Sequence, residues 1–515
     1  MYSENNIYET GSQPKVYNGF PMFIKDKTFT WLVAMLTVPF VVLTLWGGFN
    51  SGYTLSTVGF ITIFTVYLAN KNIKFKLFPY ICLILSLFSA VTFTYSSDFA
   101  VRFFLFFMLI LSMFVWFSYL GGYDLSDDYT FVSALLKGIF GSAFGSMAKS
   151  LGSAFYSENK KKKGTGKIIA GVACAIPAMF IIVLLLRSSD AAFDGLLSKI
   201  GSAFGNFGSL LFKINVGLLF FPFILSLGLG LAKNKREQRK WQIDGKMDKA
   251  FTISFLSAIS LVYVTYLFSQ LAYFFNAFKG LLPNGITYAS YARRGFFEMS
   301  VIAAINFILI SLACLLTKKK ENGKRSALLN SITVFIGVFT LLLIATALSK
   351  MILYIKSFGM TRLRILTSAF MVFLAILFIT VILRVFIKKI HVLKTGVIAA
   401  TVILLILGFA DVDKTVAEYN LYAYEQKYTE NLDVEAIGNL GYGAVPTLYE
   451  IFEGEQYDTS LRFAAREELY RKAEGIYDIN NVNGQTEYSV KKNVGSFNVN
   501  EYKAKKILDD FLNIK

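Results

Sequence analysis

The sequence predicts an all-α, polytopic transmembrane helix bundle of about eleven spans, followed by a small, mostly helical C-terminal domain outside the cytoplasm. Three observations predict it. Eleven apolar stretches of near-membrane length recur along the chain, and a bilayer core needs roughly 20 apolar residues per helix. The stretches 77–94, 251–275 and 395–409 carry no charge at all. Charged residues make up only 17% of the chain, against about 25% in soluble domains. The basic residues also cluster on alternate connections, as they do when one face of a membrane protein meets the cytoplasm.

In chain order the first 28 residues are polar, contain Lys15, Lys25 and Lys27, and read as a cytoplasmic segment too long and hydrophilic to begin a cleaved signal peptide. The spans then fall at 29–48, 53–69, 77–94 and 103–120, within a first transmembrane unit over 29–120. Residues 121–167 form an inner connection. The remaining spans, 168–186, 214–232, 250–275, 297–317, 327–348, 365–383 and 395–410, make a second unit over 168–410. Residues 411–515 form the tail. Odd-numbered gaps hold 29 Lys and Arg and even-numbered gaps 11. Short cytoplasmic loops are enriched in these residues, so the N-terminus is expected inside and the tail outside.

Two connections carry their own pattern. Val132, Leu136, Phe140, Phe144, Met147, Leu151 and Phe155 recur at spacings of four or three, which predicts an amphipathic helix in the interface plane. Lys160, Lys161, Lys162 and Lys163 follow it and would favour anionic lipid. Outside, Phe193, Leu196, Leu197, Ile200, Phe204, Phe207 and Leu211 form a similar stripe. The tetrapeptide Gly-Ser-Ala-Phe occurs at 141–144, 152–155 and 201–204; convergent small-plus-aromatic composition explains it better than a true repeat. In the tail, helices are expected over 414–427, 433–452, 460–475 and 501–512, with Asp433 capping the second. The stretches 480–484 and 491–500 are polar and turn-rich.

Composition excludes several function classes. The net charge of +18 is unevenly placed. Residues 1–410 carry 40 Lys and Arg against 15 Asp and Glu, a net +25, whereas residues 411–515 carry 12 against 19, a net −7. The basic excess therefore belongs to membrane loops rather than to nucleic-acid recognition. Cys82, Cys174 and Cys314 lie in separate expected spans as small hydrophobes, neither a disulfide framework nor a metal site. His391 is the single histidine, so a multi-histidine metal centre is excluded, and no cofactor is implied. No Asp or Glu lies mid-span, which weakens proton- or cation-coupled transport. No phosphate-binding glycine loop or zinc-protease helix motif occurs.

Three clusters remain as candidate ligand-binding sites. The first is Tyr291, Arg293, Arg294 and Glu298 at the outer entrance to the eighth span. In a helix Arg294 and Glu298 share one face, and Glu298 stands just inside an apolar run, where a buried charge needs a partner. The alternative is an interfacial anchor of snorkelling arginines and belt tyrosines. The second runs from Lys350 through Tyr354, Gly359 and Thr361 to Arg362 and Arg364. Gly359 fits a turn there and Thr361 a helix cap. With Arg293 and Arg294 these groups would make a basic outer vestibule for a phosphate, carboxylate or acidic polymer. The third contains Asp190 and Asp194, which suit helix capping better than catalysis. Within the spans, Asn306 would either extend a polar seam from Glu298 or bind helices to one another.

Four of these stretches resemble a bacterial integral-membrane family described only as a domain of unknown function, of the 4153/4173 type. They are Ser-Asp-Ala-Ala-Phe at 189–193, Tyr-Ala-Arg-Arg-Gly-Phe-Phe-Glu at 291–298, Leu-Tyr-Ile-Lys-Ser-Phe-Gly-Met-Thr-Arg-Leu-Arg at 353–364, and in the tail Asn420, Leu-Asp-Val at 432–434 and Ala-Val-Pro at 444–446. The resemblance covers about residues 167–461. Met360 departs from an expected leucine and Gly443 from an expected acidic residue. The family implies a multi-span protein of the bacterial plasma membrane and supplies no activity. Three function classes follow. The leading one is a non-enzymatic envelope sensor or scaffold whose acidic tail covers the basic vestibule, with an envelope component or membrane protein as partner. The others are a permease for an anionic or amphiphilic solute, gated by Arg293, Arg294 and Glu298, and a membrane enzyme on a lipid-linked substrate with Glu298 or Asp190 as general base.

Overall fold

The computed structural model describes residues 20, 22–46, 48–69, 75–154, 179, 182–183, 185–233, 247–277, 296–317, 326–482, 485–491 and 497–513. Among them, ten helices are long and apolar enough to cross a membrane. These are α1 (Ile24–Leu45), α2 (Ser51–Leu68), α3 (Leu77–Tyr95), α4 (Phe99–Leu120), α7 (Ala191–Lys233), α8 (Lys249–Ala277), α9 (Phe296–Leu316), α10 (Ala327–Phe358), α11 (Arg362–Phe386) and α12 (Val392–Ala410). They correspond to ten of the eleven expected spans. The expected span over 168–186 lies largely outside the described residues, as do Lys160, Lys161, Lys162 and Lys163.

The described part of the 121–167 connection is a bent helix rather than one straight helix. Here α5 (Asp128–Leu136) runs into a π-helical turn (Lys137–Phe144), and α6 (Met147–Ala154) follows at an angle of 46°. Its small residues face the protein: Gly138, Ser142, Ala143, Ser146 and Ser150 are buried, whereas Val132, Leu136, Phe140 and Phe144 point outward. The Ser226 hydroxyl of α7 donates to the Ser142 carbonyl oxygen at 2.9 Å. Small side chains permit this close approach of backbones, and the apolar stripe is left for lipid. The outer stripe from Phe193 to Leu211 is not a separate helix either. It is the first half of α7, a helix of 43 residues that continues through Pro222.

Two helix clusters form the membrane core. Phe29, Phe64, Trp116, Phe117, Leu225 and Leu229 join α1, α2, α4 and α7. Met299, Ile310, Ile336 and Phe378 join α9, α10 and α11. One helix belongs to both, since α12 gives Val397 to the first and Val392 to the second, and Leu405 to a third cluster with Tyr53 and Phe93.

The C-terminal domain comprises α13 (Val412–Glu425), α14 (Val434–Gly438), α15 (Val445–Glu453), α16 (Thr459–Ile476), the antiparallel pair β1 (Tyr477–Val482) and β2 (Gln485–Val490), and α17 (Val499–Phe511). Asp433 caps α14, accepting from the Ala436 amide at 2.8 Å. The helix expected over 433–452 is split in two at Gly441 and Gly443. The strand pair was not expected: only 480–482 of it falls in a stretch read as turn-rich, and its strands are too polar to show apolar alternation. The domain core, including Val416, Leu448, Ile451 and Leu469, is continuous with Val101 of α4 and is packed by Met360 and Leu366 at the bundle's end.

Gly230 tests the packing of the bent α5–α6 segment against α7. A β-carbon there would lie 2.7 Å from Ser142 Cβ and 2.8 Å from its backbone, whereas one at Gly141 meets nothing within 4 Å. Gly230→Val is expected to destabilise the protein by about 1–3 kcal/mol, read as a lowered Tm in detergent. Gly141→Ala should leave Tm within a degree or so of wild type.

Candidate functional site

The bundle's two ends are held by buried charges, and the end that carries the C-terminal domain is the more elaborate. Asp413, in the first turn of α13, is wholly buried. Its Oδ1 is paired with Arg362 Nε at the start of α11. Its Oδ2 accepts from the Gly441 amide at 3.0 Å and from the Ser97 hydroxyl at 3.4 Å. Arg362 also lies 3.4 Å from Asp98 Oδ2, and Asp98 caps α4 by accepting from the Val101 amide at 2.8 Å. One guanidinium therefore joins α11, α4 and the domain. Gly441 and Gly443 are required by this arrangement, since β-carbons there would come within 2.4 Å and 2.2 Å of the Asp413 and Asp411 carboxylates.

A second set of contacts lies beside it. Arg102 of α4 donates to the carbonyl oxygens of Ser96 at 2.5 Å, Gly48 at 3.1 Å and Phe93 at 3.2 Å, and to Asn50 Oδ1 at 3.1 Å. It thereby binds the α1–α2 turn to the α3–α4 turn. The domain's last segment is joined to the same turns. The Asn500 side-chain amide donates to the Tyr95 carbonyl at 2.7 Å and to Asp411 Oδ2 at 2.6 Å, and the Ser51 amide donates to the Phe497 carbonyl at 3.1 Å.

The α10–α11 turn completes the junction. Asn420 of α13 grips the Met360 backbone with both ends of its amide, accepting at 2.6 Å and donating at 2.9 Å. Gly359 has φ +74°, and a β-carbon there would stand 2.5 Å from Asn420 Oδ1, so both conformation and space require glycine. Thr361 caps α11 as expected, accepting from the Arg364 amide at 3.4 Å. Arg364 donates to the Phe358 carbonyl at 2.9 Å and to that of Gly359, and stacks over the Tyr354 ring at 4.1 Å. The structure thus brings Tyr354, Arg362 and Arg364 together, with each cation engaged by the protein's own groups.

The other candidate residues are placed differently. Tyr291, Arg293 and Arg294 lie outside the described residues. Glu298 opens α9 uncovered by protein, with Lys350 of α10 in electrostatic reach. Asp190 precedes α7 in cap position, its Oδ1 3.4 Å from the Phe193 amide. Asn306 is buried, accepts from the Tyr263 hydroxyl at 2.5 Å and donates to Thr340 Oγ1 at 2.9 Å. It binds α8, α9 and α10 to one another rather than lining a path. Among the described residues no group of three or more His, Cys, Asp or Glu could hold a metal ion.

The sequence reading missed Asp98, Arg102, Asp411, Asp413 and Asn500. The available signal was a carboxylate directly before an apolar run, which holds for Asp98 ahead of α4. The same signal marks Asp26 at the opposite end. Asp26 is buried, paired with Lys233 at 2.6 Å and accepts from the Tyr67 hydroxyl at 2.7 Å. That pair places the end of α7 beside the start of α1, so α7 runs toward the face opposite the domain.

A model of one family matches residues 81–451, and its description is a domain of unknown function, DUF4153. The chain belongs to the DUF4153 family. The DUF4153 match begins well before the expected residue 167, inside α3, and includes Asp98, Arg362, Asp411, Asp413, Gly441 and Gly443. It ends in α15, before α16, the strands and Asn500. No curated protein and no solved structure matches the chain.

Removing Arg362 leaves two buried carboxylates without their cation. Arg362→Gln is expected to weaken domain docking by about 3 kcal/mol, measured as faster protease cleavage within residues 411–515 of the purified protein. Arg364→Gln removes only a helix-end contact and ring stacking, and should cost about 1 kcal/mol.

The junction also responds to pH. Burial and the neighbouring Asp413 raise the Asp411 carboxyl, and burial raises that of Glu501 against the pull of Arg102. A carboxylate raised on folding opposes the folded state above its raised value, and the opposition vanishes below the ordinary carboxylate value. Docking should therefore tighten as pH falls through that window. Protease cleavage of wild type should slow there, and Asp411→Asn with Glu501→Gln should flatten the response.

Proposed function

We propose that this protein is a non-enzymatic sensor or scaffold of the bacterial plasma membrane, with its N-terminus in the cytoplasm and its C-terminal domain outside. The observation that carries the reading is the junction itself. Asp413, Asn420, Asn500 and Phe497 attach the domain to the α1–α2, α3–α4 and α10–α11 turns. An envelope component that binds the domain would bias the positions of those helices directly. The orientation is supported by the basic residues of the gaps 70–76, 318–326 and 384–394, since the helix ends that flank these gaps lie away from the domain.

A permease needs a polar route between helices, and the most polar group buried in the second cluster, Asn306, is closed by Tyr263 and Thr340. An enzyme needs a placed base, whereas Asp190 sits in cap position and Glu298 faces outward. Neither alternative gains an observation.

Two measurements test the proposal. Alkaline phosphatase fused after Lys515 should be active in intact cells, and a cytosolic reporter at that position should be silent. A strain lacking the protein should show an altered envelope-stress response that wild type restores and Arg362→Gln, at equal membrane abundance, does not. Restoration by Arg362→Gln with a demonstrably loosened domain would overturn the coupling.

A further inference from the structure

On the face opposite the C-terminal domain, the bent α5–α6 segment meets α9, α10, α11 and α12 around a cavity of about 460 Å³. That volume lies within the range of small-molecule sites, about 300–1,000 Å³. Its walls are apolar, built from Val132, Leu136, Phe307, Ile310 and Val381, and its charged lining is Asp128, Lys137 and Arg384. Asp128 is more than nine-tenths buried. Its Oδ2 is paired with Arg384, whereas its Oδ1 is buried and accepts no hydrogen bond among the described residues; His391 Nδ1 stands 4.0 Å away. Val132 and Leu136, at the rim, are 40% and 51% exposed, so the cavity's edge faces lipid.

We propose that this cavity binds a glycerophospholipid. An acyl chain fills the space between the bent α5–α6 segment and α9 to α11, and the phosphate meets Arg384 and Lys137. The lining selects this chemistry. Two cations beside one anion leave a net positive charge for a phosphate. An uncharged diglyceride would leave that charge unmet, and a small soluble anion would leave the apolar walls unfilled. The inference is independent of which face is cytoplasmic and of what the C-terminal domain binds.

Cys314 lines the cavity and reports occupancy without disturbing the charges. In full-length Cys82→Ser, Cys174→Ser protein in detergent, alkylation of Cys314 by N-ethylmaleimide is timed with added lipids of identical acyl chains. Phosphatidylethanolamine, phosphatidylglycerol and phosphatidylcholine should each protect at concentrations about tenfold below diacylglycerol of the same acyl chains. Glycerophosphoethanolamine, the head group alone, should not protect. Ser311→Trp, which fills the cavity from α9, should abolish lipid dependence. Native mass spectrometry of the unsubstituted protein should retain the phospholipids in preference to diacylglycerol. Equal protection by diacylglycerol, equal protection by the free head group, or an unchanged lipid response in Ser311→Trp would overturn the proposal.

Discussion

The position of the C-terminal domain depends on the burial of one carboxylate. Asp413 has no contact with solvent, and an ionised group so placed demands a cation and further hydrogen bonds. Arg362, the Gly441 amide and Ser97 supply them. Because these partners come from α11, the domain and the α3–α4 turn, satisfying one side chain sets three parts of the chain against one another. The absence of side chains at Gly441 and Gly443 is part of the same requirement, since any β-carbon would displace the carboxylates that α13 presents.

The opposite face follows the same logic with different residues. Asp26 joins α1 to α2 and α7 through Tyr67 and Lys233, and Asp128 joins α5 to α11 through Arg384. Between the two charged levels the described contacts are mostly apolar, with neutral polar links at Asn306, Thr54 and Trp116. Charge is thus confined to depths where water or head groups lie nearby, and its directional contacts fix helix ends that apolar packing alone would leave free to slide.

The helical spans were legible in the sequence because the length of an apolar stretch is a property of the chain alone. The cap residues Thr361 and Asp433 were also readable, since capping is local. The junction was not. Asp98 and Asp413 are separated by more than 300 residues, and nothing in either neighbourhood names the other. Arg362 was recognisable as unusual, but a basic cluster facing outward reads as a site for a foreign anion when its internal partner is unknown. The α5–α6 segment was legible as amphipathic, but not which element its Ser and Gly face would meet, because α7 is a partner distant in sequence. In the same way, Asn306 looked equally suited to a path or to a bond until Tyr263 and Thr340 were placed.

The place of α12 has a consequence for how the protein is made. This helix fills the groove between α3 and α4, where a β-carbon on Gly408 would come within 2.2 Å of Thr92, and it is the last span to leave the ribosome. At about 5–20 residues per second, roughly 15–60 s of elongation separate the emergence of α4 from that of α12. For that interval the early helices have an open groove, and Asp98 lacks its cation until α11 brings Arg362. The first four helices are therefore made long before the member that closes their groove, and a nascent chain truncated before α12 leaves that groove unfilled.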